Sequence, residues 1–223
     1  MAHTHPTRRH LVRIEVHADT LCPWSYLVKK SLDKAIQAFT RRYPDVEFEV
    51  LWRPFYLYPR LTRGTNKLSL YHKEVDSNLL TDMIQAAGLK HGVQFRLDGT
   101  TGPSRGSHKL IALALQQRGP QFQSEVVEKL FRGYFEEGQD ISDHAWLVQV
   151  GKQCGLASSD ILVALRSKTA SSSIDEEARG AGTEREVRAV PSVTVQGRVR
   201  IFGYQDPEVF GDAFEKLRMT DYA

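Results

Sequence analysis

The sequence predicts an α/β fold in which a β-α-β unit and a β-β-α unit form one sheet, with an all-helical block between them along the chain. Two strand-like alternations around a helix open the chain, only helical patterns occupy its middle, and strand patterns return before a last helix. No internal repeat or low-complexity linker separates the block from its flanks. The length of 223 residues suits one elaborated domain or two small ones.

The first unit is predicted to be β-α-β. Residues 11–18 alternate apolar and polar side chains with the period of two that is typical of a strand. Pro23 suits a first helical position, and the apolar residues after it are spaced three and four apart, as on one face of a helix. A second alternating run over residues 46–52 ends before Pro54. A unit of this length predicts a parallel strand pair with a right-handed crossover.

The middle of the chain is predicted to be helical after a loop over residues 55–67. Four amphipathic faces follow this loop. Their apolar residues are Leu79, Leu80, Met83 and Ile84; Leu110, Ile111, Ala114 and Leu115; Val126, Leu130, Phe131, Tyr134 and Phe135; and Leu147 with Val150. Ser142 or Asp143 is the predicted cap of the fourth helix.

Two further helices are predicted before the second half of the sheet. One carries Ile161, Leu162 and Leu165, and Ser158 or Ser159 is its expected cap. The other lies near residues 174–181 and is expected to end at its two glycines, Gly180 and Gly182.

The last unit is predicted to be β-β-α. Val193 and Val195 alternate before a turn near Gln196 and Gly197, and residues 199–202 complete a hairpin. Asp206 and Pro207 then begin a final helix. This order of elements is that of the thioredoxin fold with a large helical insertion. We expect residues 1–10 to form a flexible tail, 11–66 with 187–218 the thioredoxin-fold domain, and 67–186 the inserted helical domain.

Composition and charge exclude several classes of protein. The 30 Lys and Arg against 27 Asp and Glu leave a net charge of +3, and their dispersion gives no basic stripe for nucleic acid. No run of 18 apolar residues is present to span a membrane. The first ten residues lack the apolar stretch of a secretory signal. We expect His3, His5 and His10 in this tail not to form a metal site.

The two cysteines, Cys22 and Cys154, exclude a disulfide scaffold and suit a reducing compartment, so a cytoplasmic location is predicted. Cys154 precedes a glycine at a predicted helix end and is expected to be an inert small hydrophobic residue.

The motif Cys22-Pro23-Trp24-Ser25 stands where a strand is followed by a helix. A sulfur at a helix N-terminus faces unsatisfied backbone N–H groups and the positive end of the helix dipole, which favour the thiolate. We therefore predict a reactive Cys22 with a lowered pKa, and Ser25 as a hydroxyl donor to the thiolate. The alternative is an inert buried cysteine beside a serine that only caps the helix.

Four segments together resemble a known family. They are C-P-W-S-Y at residues 22–26, W-R-P-F at 52–55, L-F-R-G-Y-F-E-E-G-Q-D at 130–140, and Val190-Pro191. The chain resembles, over about residues 12–217, the DsbA-like thioredoxin-fold family of FrnE type, which is related to kappa-class glutathione transferases and hydroxychromene-carboxylate isomerases. Disulfide-exchanging relatives carry C-P-W-C, whereas Ser25 stands here. In the transferase and isomerase relatives, the position of Cys22 is usually a serine that acts on glutathione.

The resemblance implies a cis peptide bond between Val190 and Pro191, opposite the active cysteine. The Val190 backbone would then be free to pair with an extended thiol peptide such as glutathione. The alternative is a proline that simply begins an edge strand.

The resemblance also implies further binding residues. Asn66 and Lys67 resemble the loop that holds glutathione in kappa-class relatives, although a solvated turn explains them equally well. Gln205 and Asp206 correspond to the region that fixes the glutamyl end, although Asp206 also suits a helix cap.

Two more candidates for binding lie elsewhere in the chain. Arg53 follows Trp52 and is predicted to face the pocket or to form a surface ion pair. His108 matches a histidine that is common in FrnE-type relatives, where it suits a general acid or base; a structural histidine is the alternative.

The sequence thus favours a thiol- or glutathione-dependent enzyme that uses Cys22 on a small electrophilic molecule, by isomerisation, transfer or redox chemistry. Glutathione is the expected co-substrate, and no metal or nucleic acid is expected. The first alternative is a protein disulfide oxidoreductase or isomerase that works through mixed disulfides with protein partners. The second is a non-catalytic thioredoxin-fold binding module. The sequence is compatible with a homodimer and does not determine the oligomeric state.

Overall fold

The computed structural model describes residues 10–71, 77–183, 185 and 187–221. Its strands are β1 (His10–Ala18), β2 (Val46–Pro54), β3 (Thr65–Asn66), β4 (Thr100–Thr101), β5 (Ser192–Val195) and β6 (Val199–Phe202). Its helices are α1 (Pro23–Arg42), α2 (Lys67–Tyr71), α3 (Ser77–Leu89), α4 (Arg105–Phe135), α5 (His144–Gln153), α6 (Ser158–Arg166), α7 (Lys168–Thr183) and α8 (Pro207–Asp221). The tail with His3 and His5 lies outside the described residues.

The main sheet has the strand order β2-β1-β5-β6. Strands β1 and β2 are parallel, and β5 is antiparallel to both β1 and β6. Helices α2 to α7 lie between β2 and β5 along the chain. The predicted thioredoxin fold with a helical insertion is confirmed, while the division into domains at residues 67 and 186 stays a prediction.

The inserted helices are fixed to the sheet through its edge strand. Gln123 of α4 accepts a hydrogen bond from the backbone N–H of Trp52 at 2.9 Å and donates one to the Trp52 carbonyl at 2.9 Å. This buried amide covers part of the β2 edge, which would otherwise present unpaired backbone groups. Tyr26 of α1 stacks on Phe131 and Phe135 of α4, with ring centroids 5.3 and 6.0 Å apart. Helix α4 therefore contacts both the sheet and the helix that follows Cys22.

Two of the predicted helix boundaries fall at glycines. The second and third predicted helices lie on either side of Gly119 in α4, where the backbone is not helical (φ 82°) and Pro120 follows. Helix α7 begins at Lys168, earlier than predicted, and ends at Thr183, one residue after Gly182.

Helix caps and short strands show further differences. Asp143 caps α5 by accepting a hydrogen bond from the Ala145 N–H at 2.8 Å. Helix α6 has no side-chain cap, because Ala157 takes the N-cap position and Ser158 is the first helical residue. The predicted loop before α2 contains strand β3, which pairs with β4. Within the described ranges, no helix has the length and apolar composition needed to cross a membrane.

Candidate active site

Cys22 lies at the junction of β1 and α1. It is the N-cap residue of α1, with φ −93° and ψ 112°, and Pro23 takes the first helical position. The Cys22 carbonyl accepts hydrogen bonds from the N–H groups of Ser25 at 3.1 Å and Tyr26 at 3.3 Å. The thiol donates to the carbonyl oxygen of Val190 at 3.6 Å. The strand-to-helix junction therefore places the sulfur beside the segment that precedes β5.

The sulfur is covered by apolar side chains, and Cys22 is only 2% exposed. Those around it are Ala181, Val187 and Val190, with the half-buried Trp24, Phe55 and Leu57. Burial raises the pKa of Cys22 to about 11; hydrogen bonds from Ser25 lower it in part, and the Asp19 charge raises it. The predicted lowering of the Cys22 pKa is therefore wrong for this arrangement, because lost hydration of the thiolate outweighs the helix N-terminus.

The raised pKa predicts slow alkylation of Cys22 at neutral pH. The iodoacetamide rate should reach its midpoint well above the value of about 8.5 of a free thiol, because the thiol persists to higher pH when the thiolate lacks hydration. Asp19→Asn should lower the midpoint, since it removes a charge that raises the Cys22 pKa. Urea-unfolded protein is the reference. A midpoint for the folded protein at or below that of the unfolded protein would instead support an activated Cys22 thiolate with a lowered pKa.

Ser25 is completely buried one helical turn after Cys22. Its side chain favours the Cys22 thiolate by hydrogen bonding. Apart from this contribution, its hydroxyl has no hydrogen-bond partner among the described residues. Ser25 is thus placed to serve the sulfur, and it brings no second thiol.

The peptide bond between Val190 and Pro191 is cis, as the resemblance implies. Both residues are buried, and the Pro191 carbonyl accepts a hydrogen bond from Gly203 N–H at 2.9 Å. The structure therefore brings Cys22, Val190 and Pro191 together, although they are far apart in sequence.

Asp19 and Tyr71 also belong to this site, in addition to the residues predicted from the sequence. Asp19 is completely buried, and its carboxylate accepts hydrogen bonds from the N–H groups of Leu21 at 3.2 Å and Leu57 at 2.8 Å. Its backbone carbonyl accepts from Cys22 N–H at 2.9 Å. The Tyr71 hydroxyl donates to the Leu21 carbonyl at 3.0 Å. An acidic residue directly after an apolar strand and three before a cysteine was the available signal for Asp19.

Arg53 and His108 line one cavity beside Asp19. Arg53 is paired with Glu177 at 3.2 Å and with Glu15 at 3.4 Å. His108 is buried, with its Nε2 3.5 Å from the nearer Asp19 carboxylate oxygen. Arg53 thus forms the ion pairs of the second alternative, and it lines a cavity to which Cys22 does not contribute.

Asn66 and Lys67 point to different surroundings. Asn66 is exposed, and its side chain accepts a hydrogen bond from the Ser69 N–H at 3.1 Å at the start of α2. Lys67 is completely buried, and its ammonium donates to the carbonyls of Tyr134 at 2.8 Å and Gln139 at 3.4 Å. Burial lowers the pKa of Lys67 to about 8. This buried position differs from both alternatives predicted for Lys67, a solvated turn and a contact with glutathione. Its amine is hydrogen-bonded to carbonyl groups of the protein itself.

Gln205 and Asp206 follow β6. The Gln205 carbonyl accepts a hydrogen bond from the Ser31 hydroxyl of α1 at 2.6 Å. The Asp206 carboxylate accepts from the Tyr204 hydroxyl at 2.8 Å, and the Tyr204 ring lies 5.9 Å from that of Trp24. This segment therefore lies against α1 and reaches the motif through Trp24.

A comparison with protein families matches residues 13–215 to the model described as DSBA-like thioredoxin domain. The uncharacterized protein YwbO of Bacillus subtilis (strain 168) is 25% identical over 210 residues, which cover 91% of this chain and 95% of the relative.

Solved structures with the same fold come from several enzymes. SCO1869 of Streptomyces coelicolor, described as a probable DsbA oxidoreductase, has a TM-score of 0.79 at 24% identity, over 92% of this chain and 89% of that one. A 2-hydroxychromene-2-carboxylate isomerase has a TM-score of 0.69 at 18% identity, over 95% and 99%. The cytosolic disulfide reductase DsbM of Pseudomonas aeruginosa, solved with GSH, has a TM-score of 0.63 at 13% identity, over 92% and 99%.

Proposed function

The chain belongs to the DSBA-like thioredoxin domain family, whose fold serves oxidoreductases and isomerases, and we propose that it is a thiol- or glutathione-dependent enzyme. In this proposal Cys22 is the single nucleophile, Ser25 donates a hydrogen bond to its thiolate, and glutathione is the co-substrate. The second substrate is a small electrophilic molecule, and the chemistry is isomerisation, transfer or redox exchange. The reaction belongs to a reducing compartment such as the cytoplasm.

One observation carries this proposal: the Cys22 sulfur lies at the start of α1, against the Val190 carbonyl, with a serine where a second thiol would stand. Cys154 offers no substitute, because it is a buried member of the hydrophobic core at the end of α5. A thiol peptide that pairs with the Val190 backbone would displace the thiol from the carbonyl and bring its own sulfur to Cys22.

The chemistry of a single sulfur is compatible with both kinds of substrate. With a disulfide, the Cys22 thiolate attacks one sulfur, the S–S bond breaks, and the other sulfur leaves as a thiolate. With an enone, the thiolate forms a C–S bond at the β-carbon while the electron pair of the double bond moves to the carbonyl oxygen. Expulsion of the thiolate after rotation restores the double bond, so the net result is isomerisation.

Oxidised glutathione tests this proposal. We expect intact-mass analysis to show one glutathione per chain, attached to Cys22, with a rate that saturates with glutathione concentration because docking precedes exchange. Hydroxyethyl disulfide, which lacks a peptide backbone, should react with a linear dependence on concentration.

Two variants control this experiment. Cys154→Ser should keep the adduct and Cys22→Ser should lose it, since only Cys22 lies at the start of a helix beside Val190. An adduct confined to Cys154, or the same linear kinetics for both disulfides, would contradict the glutathione site.

A second candidate is a protein disulfide oxidoreductase or isomerase. The likeness in fold to the reductase DsbM favours it, as does the half-buried apolar rim of Trp24, Phe55 and Leu57 around the sulfur. Peptide disulfides should then react much faster with Cys22 than oxidised glutathione does.

A further inference from the structure

A small cavity lies between the edge strand of the sheet and the inserted helices. Its volume is about 30 Å³, which is room for roughly two water molecules. Residues from the end of β1, from β2, from α4 and from α7 line it. They include Thr20, Trp52, Arg53, His108, Phe131 and Ile174. We call it the edge cavity.

Three buried nitrogens of residues that line the edge cavity have no hydrogen-bond partner among the described residues. They are His108 Nε2, Arg53 Nε and Trp52 Nε1. His108 is 4% exposed, and the 3.5 Å separation from Asp19 is too long and poorly aligned for a hydrogen bond. The terminal nitrogens of Arg53 are paired with Glu15 and Glu177, whereas its Nε has no partner among the described residues.

The side chains with acceptor oxygens that line the edge cavity already have partners, and Glu177 among them is paired with Arg53. The Thr20 hydroxyl is hydrogen-bonded to that of Ser107 at 2.8 Å, and Gln123 is bonded at both ends to the Trp52 backbone. A buried donor without an acceptor costs about 1–3 kcal/mol. Three such nitrogens around one cavity therefore point to an acceptor that the described part of the chain does not supply.

We propose that the edge cavity receives the carbonyl end of the small electrophile, with the carbonyl oxygen accepting hydrogen bonds from His108 Nε2 and Arg53 Nε; this rests on the proposed function. Val127, Phe131 and Ile174 form apolar walls that suit the carbon skeleton next to the carbonyl group. A neutral ligand fits better than a carboxylate, because Glu15 and Glu177 already balance the Arg53 charge and burying a further charge is costly.

The position of the edge cavity connects it to the proposed chemistry. Asp19 lies 3.5 Å from His108 and holds the Cys22 N–H through its backbone carbonyl, so the cavity and the sulfur flank the same loop. When a thiolate adds to the β-carbon of an enone, negative charge develops on the carbonyl oxygen. Two N–H donors at that oxygen would stabilise the enolate.

Binding is tested with butan-2-one labelled with ¹³C at its carbonyl, added at tens of millimolar to the full chain carrying Cys22→Ser. We expect the ketone carbon resonance to move downfield and to saturate, because hydrogen bonds polarise the carbonyl. His108→Phe keeps a ring but removes the donor and should weaken binding about tenfold, as for one lost hydrogen bond. His108→Gln retains an N–H donor and should bind nearly as well as the parent.

Two further variants keep the test sharp if His108→Phe folds poorly. Arg53→Lys keeps a positive charge toward Glu15 and Glu177 but lacks Nε, and should also weaken binding. His144→Phe changes an exposed histidine of α5 outside the edge cavity and should have no effect.

The possible outcomes separate the cavity from the wider proposal. A glutathione adduct on Cys22 without saturable ketone binding would overturn only the cavity assignment. Ordered water at His108 Nε2 that persists at every ketone concentration would overturn it as well. Ketone binding without any adduct on Cys22 would instead support the cavity and contradict the proposed function.

Discussion

Wild type is expected to reduce disulfides poorly, and Ser25→Cys is expected to reduce insulin with dithiothreitol as the electron donor. With one sulfur, a mixed disulfide at Cys22 has no internal thiol to resolve it, so release waits for an outside thiol. Position 25 is completely buried one turn after Cys22, and the Ser25 side chain already interacts with the sulfur. A cysteine there would supply the missing resolving thiol.

The measurement is insulin precipitation beside the titration of free thiols. Wild type should reduce insulin little, and the variant should gain activity and form one internal disulfide between positions 22 and 25. The double variant Cys22→Ser with Ser25→Cys provides the matched control, because it has a thiol at position 25 only and should be inactive. Cys22→Ser alone should lose all thiol-dependent turnover while its circular dichroism is unchanged. Strong reductase activity that survives Cys22→Ser would mean that another sulfur is at work.

Lys67→Ala is expected to destabilise the protein by about 3 kcal/mol or more, rather than to weaken glutathione binding. The change leaves the carbonyls of Tyr134 and Gln139 without their donor and empties the space that the buried side chain fills. The ammonium also lies 4.0 Å from the centre of the Tyr134 ring, a contact that is lost with it. Urea unfolding gives the free energy, and calorimetry with reduced glutathione gives the affinity of the folded variant.

Lys67→Met fills more of the space without a charge and separates packing from hydrogen bonding. The pKa of Lys67 is about 8 in the folded protein, below the value of 10.5 that it takes when unfolded. Between these values the unfolded state binds the extra proton, so Lys67 makes the free energy of unfolding rise with pH there. Wild type should therefore gain stability relative to Lys67→Met from pH 8 to pH 10. A Lys67 variant that is as stable as wild type but binds glutathione poorly would instead support a direct role of Lys67 in glutathione binding.

Much of the fold followed from local patterns. The alternation in residues 11–18, the helical spacing after Pro23 and the hairpin around Gln196 predicted β1, α1 and the β5–β6 pair nearly to the residue. These elements depend on side chains within a few positions of one another, which the sequence displays directly. The differences lie at the ends of elements, as at α7, which begins at Lys168 rather than near residue 174.

Neighbouring residues are enough to show that Cys22 begins a helix after a strand, that Pro23 is its first helical residue and that Ser25 replaces a second thiol. By contrast, the cover of Val187 and Ala181 over the sulfur, its raised pKa and the inward position of Lys67 follow only from the folded structure. The start of a helix is set by nearby residues, whereas the hydration and the partners of a side chain depend on segments that meet only after the chain has folded.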